Sequence, residues 1–515
     1  MLPARAPETT REGAYAPRKS LMIRAAITRL VLFLAWLGVC VNVGAHVGSP
    51  TVFFQGLAGN YPIRVTIEPP GVVPGLAQIH VVVESGEAKT VTVRPVRWDV
   101  GVKGSPSPDT ATLVPGETSL FTAQLWLMAS GAYSVFVEVS GSRGEGTAIV
   151  PLNSIATQRL GMTKGMGILF AVIGSFIVVL LISVVGAAIR EGRLEPGQDI
   201  SPQRRRRGWY GRAIAATVVG TALILGKNWW DSVDNDYRSR RLYTPQSIQT
   251  ELKPDDAARQ ELALTFVPRS RLDSTPLIPD HGRLMHLFLI SDPDGGVFAH
   301  LHPNRHPQEG KDATLFATRL PELPAGHYKL YADITHESGL TQTLTNDLTI
   351  PPSPFGMATK QSLAETDDAV SLAEPSAESH INLQEGFRLS RDFPDTFAAN
   401  QETRLVFHLT TESGAEAVLE PYLGMYGHLI IENADGTVFN HLHPLGSVSM
   451  VSQRQFAERE KAGFLANKPL DQFCTTASTE LSFPYAFPKP GIYRLWVQTK
   501  TAGKILTGGF QVSIK

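Results

Sequence analysis

Hydrophobic and polar positions alternate along most of this chain, and two long uncharged runs interrupt the pattern. Alternation as in Ile63-Arg64-Val65-Thr66-Ile67 puts one kind of side chain on each face of a strand. Pro69-Pro70-Gly71 and Pro74-Gly75 then mark turns, and Ile79-His80-Val81-Val82-Val83 resumes the strand pattern. With further runs over 120–128 and 133–139, residues 46–160 read as one extracytoplasmic β-sandwich. A second sandwich is predicted over 259–352. Pro351-Pro352-Ser353-Pro354 opens a Ser-, Ala- and acid-rich linker over 353–379, and a third sandwich follows over 380–515. The expected fold class is mainly β: three Ig-like sandwiches, two transmembrane helices and an N-terminal signal peptide or anchor. The 45 Gly and 36 Pro spread along the chain agree with turn-rich β structure.

The uncharged runs set the membrane frame. Residues 165–189 carry no charge over 25 positions, enough to cross a ~30 Å hydrocarbon core as a helix. Residues 213–226 are uncharged for 14 positions, bracketed by Trp209-Tyr210 and Trp229-Trp230, with Arg212 and Lys227 placed to snorkel. Transmembrane helices are therefore predicted at 164–189 and 213–230. The loop between them, 190–212, holds Arg190, Arg193, Arg204, Arg205, Arg206, Arg207 and Arg212, which places it in the cytoplasm by the positive-inside rule. An apolar run over 30–43, behind Arg24 and Arg29 and ending in Val43-Gly44-Ala45, makes 1–45 a signal peptide or anchor. Cleavage there would begin the chain at His46, whose amine and imidazole could then chelate copper. Residues 46–163 and 231–515, including a polar juxtamembrane stretch over 231–258, are expected outside. The expected location is the inner membrane, multi-pass, with most of the chain in the periplasm or extracellular space.

The last two predicted sandwiches repeat one another. Met285-His286-Leu287 through Phe298-Ala299-His300-Leu301-His302-Pro303 matches Gly427-His428-Leu429 through Phe439-Asn440-His441-Leu442-His443-Pro444. Pro324-Ala325-Gly326-His327-Tyr328-Lys329-Leu330-Tyr331 matches Lys489-Pro490-Gly491-Ile492-Tyr493-Arg494-Leu495-Trp496. Taking Asp435-Gly436 as a two-residue hairpin loop pairs Ile430 with His441 and His428 with His443. Taking Pro293-Asp294-Gly295 as a three-residue loop pairs Phe288 with His300 and His286 with His302. In both hairpins three histidines share a face, and Leu287, Leu289, Val297 and Leu301, or Leu429, Ile431, Val438 and Leu442, take the other.

Imidazoles at such corners can converge on one ion at ~2.0–2.1 Å per nitrogen. His286, His300, His302, His428, His441 and His443 are therefore the candidate metal ligands, with copper or zinc as the expected ion. The alternative is structural: Phe288, Ile290 and Phe298, or Ile430 and Phe439, share the histidine face and could be covered by the second sheet, leaving an interaction module without metal. Further candidates near the trios are His281, Met285, Met425 and Met450. His306, His327 and His336 lack counterparts in the other repeat, and His80 and His408 sit in strand patterns. Cys40 falls in the leader and Cys474 reads as a structural thiol, so no disulfide is expected in the exported part. A net charge of −1 argues against nucleic-acid binding.

Tyr422-Leu423-Gly424-Met425-Tyr426-Gly427-His428 with His441-Leu442-His443-Pro444, and Leu284-Met285-His286-Leu287-Phe288-Leu289, resemble exported domains of the YtkA/FixH-like family. The segment from Tyr61-Pro62-Ile63-Arg64-Val65 to Pro74-Gly75-Leu76-Ala77 resembles them more loosely. The resemblance implies Ig-like sandwiches at a membrane and, less firmly, copper handling. The partners then expected are the lipid bilayer and metal-handling or other exported proteins. An enzyme is not expected: a three-histidine site could activate water, but no adjacent general base and no Gly-x-Ser-x-Gly motif accompanies it. Nor is a transporter, since the spans carry no intramembrane charge.

Overall fold

Three two-layered β units and a pair of long helices make up most of the described part of the chain in a computed structural model, which describes residues 51–195, 197–254, 260–268, 274–306, 314–352, 367–461 and 479–515. The expected signal peptide, His46, Cys40 and Cys474 lie outside the described residues. In the first unit, a five-stranded sheet containing Tyr61–Glu68 and Gly75–Val83 packs on a four-stranded sheet containing Ala88–Arg97 and Gly131–Gly141. Ile63, Val65, Ile67, Ile79 and Val81, the apolar members of the alternating runs, form its core with Val91, Val135 and Val137.

Helices Lys164–Glu191 and Pro202–Arg240 are each long and apolar enough to cross a membrane. The second starts earlier and ends later than the predicted span over 213–230. Pro202 sits in its first turn, where no amide donor is needed, and the Ser201 hydroxyl accepts from Arg204 N, so the arginine run is helical and the expected 190–212 loop shrinks to 192–201. At the other end Lys227–Asp231, Asp234–Arg238 and Asp236–Arg240 pairs, each four residues apart, carry the polar helix beyond the apolar segment.

The expected juxtamembrane stretch over 231–258 is thus divided. Its first part is helix, and strands Gln246–Ser247 and Gln249–Pro254 already belong to the second sandwich. Gln249–Pro254 is an edge strand with little buried surface, so its sequence lacks the alternating signal. The predicted linker over 353–379 is corrected likewise: strand Ala369–Ser371 adds to the second unit's sheet beside Phe298–Leu301, and Ser376 bridges to Phe510.

The two repeats match strand for strand. In the second unit the order is Thr341–Ile350, Gly326–His336, His286–Asp292, Phe298–Leu301; in the third it is Lys504–Ile514, Gly491–Thr501, Gly427–Asn433, Phe439–Leu442. A short parallel strand flanks each set, Gln246–Ser247 in one and Thr396–Phe397 in the other. Leu287, Leu289 and Leu301, and Leu429, Ile431 and Leu442, face the second sheet of their own sandwich.

The histidine faces are not covered by those second sheets. They are covered by each other. Phe288, Ile290, Phe298 and Tyr331 of one repeat form a single buried cluster with Ile430, Phe439 and Trp496 of the other. The packing is reciprocal: Phe298 stacks on Trp496 with centroids 5.1 Å apart, and its counterpart Phe439 stacks on Tyr331 at 4.1 Å. The apolar neighbours that suggested cover by a second sheet are the contact surface between repeats.

The first unit docks on the chain just after the second histidine hairpin. Gln55 N donates to Leu445 O, Ser447 N to Phe53 O, and a Cβ on Gly446 would lie 2.0 Å from Phe53 O. Gly446→Ala should therefore loosen this docking by forcing backbone apart, with a lowered melting temperature as the expected readout and an unchanged one as the contrary result.

Candidate metal centre

Both hairpins have the expected register: Phe288 opposes His300 and Ile290 opposes Phe298, while Ile430 opposes His441 and Glu432 opposes Phe439. The 435–436 turn differs in detail. Asp435 is not left-handed; only Gly436 is, at φ 71°, with Gly436 N donating to Asn433 O, so the turn is a four-residue one ending on glycine and leaves the register unchanged. His286, His300 and His302 bring ring nitrogens within 4.8 Å of one another, and so do His428, His441 and His443. All six candidate ligands are gathered as expected, and each trio could hold a metal ion.

The second ring nitrogen of each histidine decides what the first can do. His286 Nε2 lies 3.1 Å from Asp280 O and His428 Nε2 lies 3.0 Å from Tyr422 O. A backbone carbonyl can only accept, so in each neutral imidazole Nε2 carries the proton and Nδ1 presents its lone pair. His300 Nδ1 donates to Gln498 Oε1 at 2.7 Å, His302 Nδ1 to Asp368 Oδ1 at 2.9 Å, and the Asp333 carboxylate faces His441 Nδ1 at 3.4 Å. These acceptors leave the lone pairs of His300, His302 and His441 on Nε2.

The lone pairs meet. His286 Nδ1 faces His300 Nε2 at 3.1 Å, and His428 Nδ1 faces His441 Nε2 at 3.1 Å. Two acceptors at that separation repel unless a cation lies between them. Two nitrogens each ~2.0–2.1 Å from one ion, at coordination angles of about 90–109°, are themselves about 2.9–3.4 Å apart. An N–H held by a carboxylate, carbonyl or amide oxygen behind the ring is also how ligating histidines are oriented.

Protons are poor occupants. Burial, and then the neighbouring imidazoles, push His286, His300, His428 and His443 well below the ordinary histidine range. On unfolding these groups regain ordinary values near 6.5, so below about pH 6.5 the unfolded chain binds more protons and stability is lost as pH falls. The cost is on the order of 1.4 kcal/mol per pH unit for each such histidine. The melting temperature of metal-stripped protein should therefore drop between pH 7 and pH 5; a flat profile would contradict this electrostatic picture.

Sequence reasoning missed the acceptors. Asp333 and Gln498 occupy equivalent places two residues after Tyr331 and Trp496, and each serves the other repeat's histidine. The matched segments ending at Tyr331 and Trp496 reach Asp333 and Gln498 two residues further on, so the repeat itself is the signal for them. Asp368 lies in the segment read as linker, where nothing in the pattern marks it. His281, ranked below the trios, enters the centre: its ring lies 4.5 Å from that of His443 and 5.6 Å from that of His428. Met285 is buried in the second unit's apolar core, Met425 is buried, Met450 begins helix Met450–Arg459, and His306 and His327 are exposed. His336 is held by Thr275 O and Gln342. A cavity of about 960 Å³ is lined by His286, His441 and His443, by residues of the first unit and by residues 239–244, where the long helix ends.

A family model described as a domain of unknown function (DUF8832) matches residues 245–351 and again 384–515, the two repeats. No curated protein matches the chain. Among solved structures, a tetra-tandem repeat from the extending region of a large adhesion protein is similar at 8% identity and TM-score 0.15, over 86% of this chain and 71% of that one. A putative membrane anchored protein from Corynebacterium diphtheriae is similar at 11% identity and TM-score 0.14, over 90% and 94%. Salmonella alpha-2-macroglobulin is similar at 9% identity and TM-score 0.18, over 92% of this chain but only 24% of its own length. TM-scores this low describe no shared overall arrangement.

Proposed function

We propose that this chain is a membrane-tethered extracytoplasmic protein that binds copper or zinc ions in two three-histidine sites, one per repeat. The observation that carries the reading is the pair of facing lone pairs at 3.1 Å, each backed by an acceptor that holds the proton on the far side of the ring. Imidazole nitrogen suits both ions, and the trios contain no thiolate to favour one. Orientation follows the arginines of 190–212, which put the connection between the long helices in the cytoplasm and both β portions outside. Handling of ions outside the cytoplasm also agrees with the resemblance to YtkA/FixH-like domains.

The test is metal content of the full chain in detergent, equilibrated with Cu²⁺ or Zn²⁺ and freed of loose ions. Two ions per chain are expected, and none once all six histidines are alanine; an equal content in the two proteins would overturn the proposal. Asp368→Asn should weaken one site by about 10–100-fold, the usual effect of losing an outer partner of a ligating histidine. Equal affinities in wild type and Asp368→Asn would remove that partner's role. A second reading rests on the reciprocal Phe298–Trp496 and Phe439–Tyr331 stacks: the repeats form a rigid interaction module and the histidines close it. In that case histidine changes lower the melting temperature and leave metal content alone.

A further inference from the structure

The two sites are not equivalent, although the repeats that carry them are. Residues 280–283 form a tight turn with His281 and Gly282 at φ 50° and 80°; residues 422–425 form the same turn with Leu423 and Gly424 at φ 51° and 76°. Each turn's first carbonyl, Asp280 O or Tyr422 O, accepts from the leading histidine of its own trio. The turns thus superimpose in role, and the one chemical difference at their tips is an imidazole against a leucyl side chain.

His281 does not face its own repeat's trio most closely. Its ring is 4.5 Å from His443 and 5.6 Å from His428, against 6.2 Å from His286. Its side chain is 1% exposed, and Asp280 Oδ1 stands 3.8 Å from its Nε2. The Leu423 backbone approaches the ring, yet neither nitrogen makes a hydrogen bond of good geometry, and the same is true of both nitrogens of His443. Six of the fifteen buried side-chain nitrogen and oxygen atoms without such a bond among the described residues belong to Asp280, His281, His302 and His443. Buried polar atoms are rarely left so, and a cluster of them beside converging lone pairs marks a place for a cation.

Resting on the two-site reading above, we propose that His281 crosses between the repeats as the fourth imidazole of the His428–His441–His443 site. That site is then a closed four-nitrogen cage for a divalent cation. The His286–His300–His302 site keeps three imidazoles and an open position. A closed site holds its ion tightly and for structure; an open one exchanges it or accepts an outside ligand. One turn residue therefore divides two copies of one motif into a retained ion and an exchangeable ion.

The test is a competition titration of full-length protein in detergent with Zn²⁺ against a chromophoric chelator, on wild type, His281→Leu and Leu423→His. Leucine is already tolerated at this left-handed turn position, as Leu423 shows, so His281→Leu makes the turns alike without a new backbone demand. Wild type should show two steps of unequal affinity. His281→Leu should weaken the tighter step by about tenfold or more and leave the weaker one in place. Leu423→His should tighten the weaker step. Two steps of wild-type spacing in His281→Leu would overturn the proposal and leave the two-site reading standing. Absence of any Zn²⁺ binding by wild type would remove both. Melting temperatures of the metal-free proteins separate a misfolded variant from one that has lost a ligand, and Leu423→His alone then decides.

Discussion

His300→Ala should cost the first site its ion and leave the second filled, so that metal content falls from two ions per chain to one. His300 contributes the Nε2 that faces His286 Nδ1 at 3.1 Å, and its Nδ1–H is the group that Gln498 of the other repeat holds. Removing the ligand exceeds the removal of an outer partner, so the loss of affinity should be more than about 100-fold. His441→Ala should weaken the second site, because Asp333 and His428 stand to it as Gln498 and His286 stand to His300, while His281, His428 and His443 remain there. Elemental analysis of the three proteins reads the result. Full content in His300→Ala would mean that the facing pair is not the binding pair.

Arg494→Ala should destabilise the chain by roughly 3–5 kcal/mol, the usual cost of leaving a buried charge without its partner. The charge left behind is Glu432, whose side chain is fully buried. Burial pushes its carboxyl above the ordinary value, against the pull of Lys329, Tyr331 and Arg494. Arg494 reaches Glu432 at 3.3 Å and also donates to Pro293 O in the other repeat's hairpin loop, while Tyr331 of that repeat donates to Glu432 at 3.0 Å. The group clasps the two repeats beside the aromatic stacks. Denaturant unfolding of Arg494→Ala measures the cost, and Arg494→Met with Glu432→Gln should recover much of it by removing the second charge. A loss below about 1 kcal/mol would show that the pair carries little of the docking.

The face of each hairpin was legible because strand side chains alternate with period two, so a turn position fixes everything beyond it. Two connections of different length, between Ile290 and Phe298 and between Glu432 and Phe439, preserve the same trio, and alternation alone was enough to show it. The mate of that face was not legible. Phe288, Phe298, Ile430 and Phe439 announce burial, but an apolar residue does not say which surface covers it, and here the cover comes from the other repeat, far away along the chain. Asp333 and Gln498 stayed hidden for the same reason: each is an ordinary polar strand residue until the repeats dock. The helix ends were misplaced where polar helix continues an apolar one, since hydropathy marks the apolar part and Ser201, Pro202 and the ion pairs over 227–240 mark the helix.

Anomalous diffraction from crystals grown with Zn²⁺ or Cu²⁺, collected on either side of the metal's absorption edge, addresses the histidine geometry directly. Two peaks are expected, one about 2.0–2.1 Å from His286 Nδ1 and His300 Nε2 and the other at the same distance from His428 Nδ1 and His441 Nε2. Peaks confined to surface carboxylates or exposed histidines, with both facing pairs still 3.1 Å apart and bare, would contradict the account.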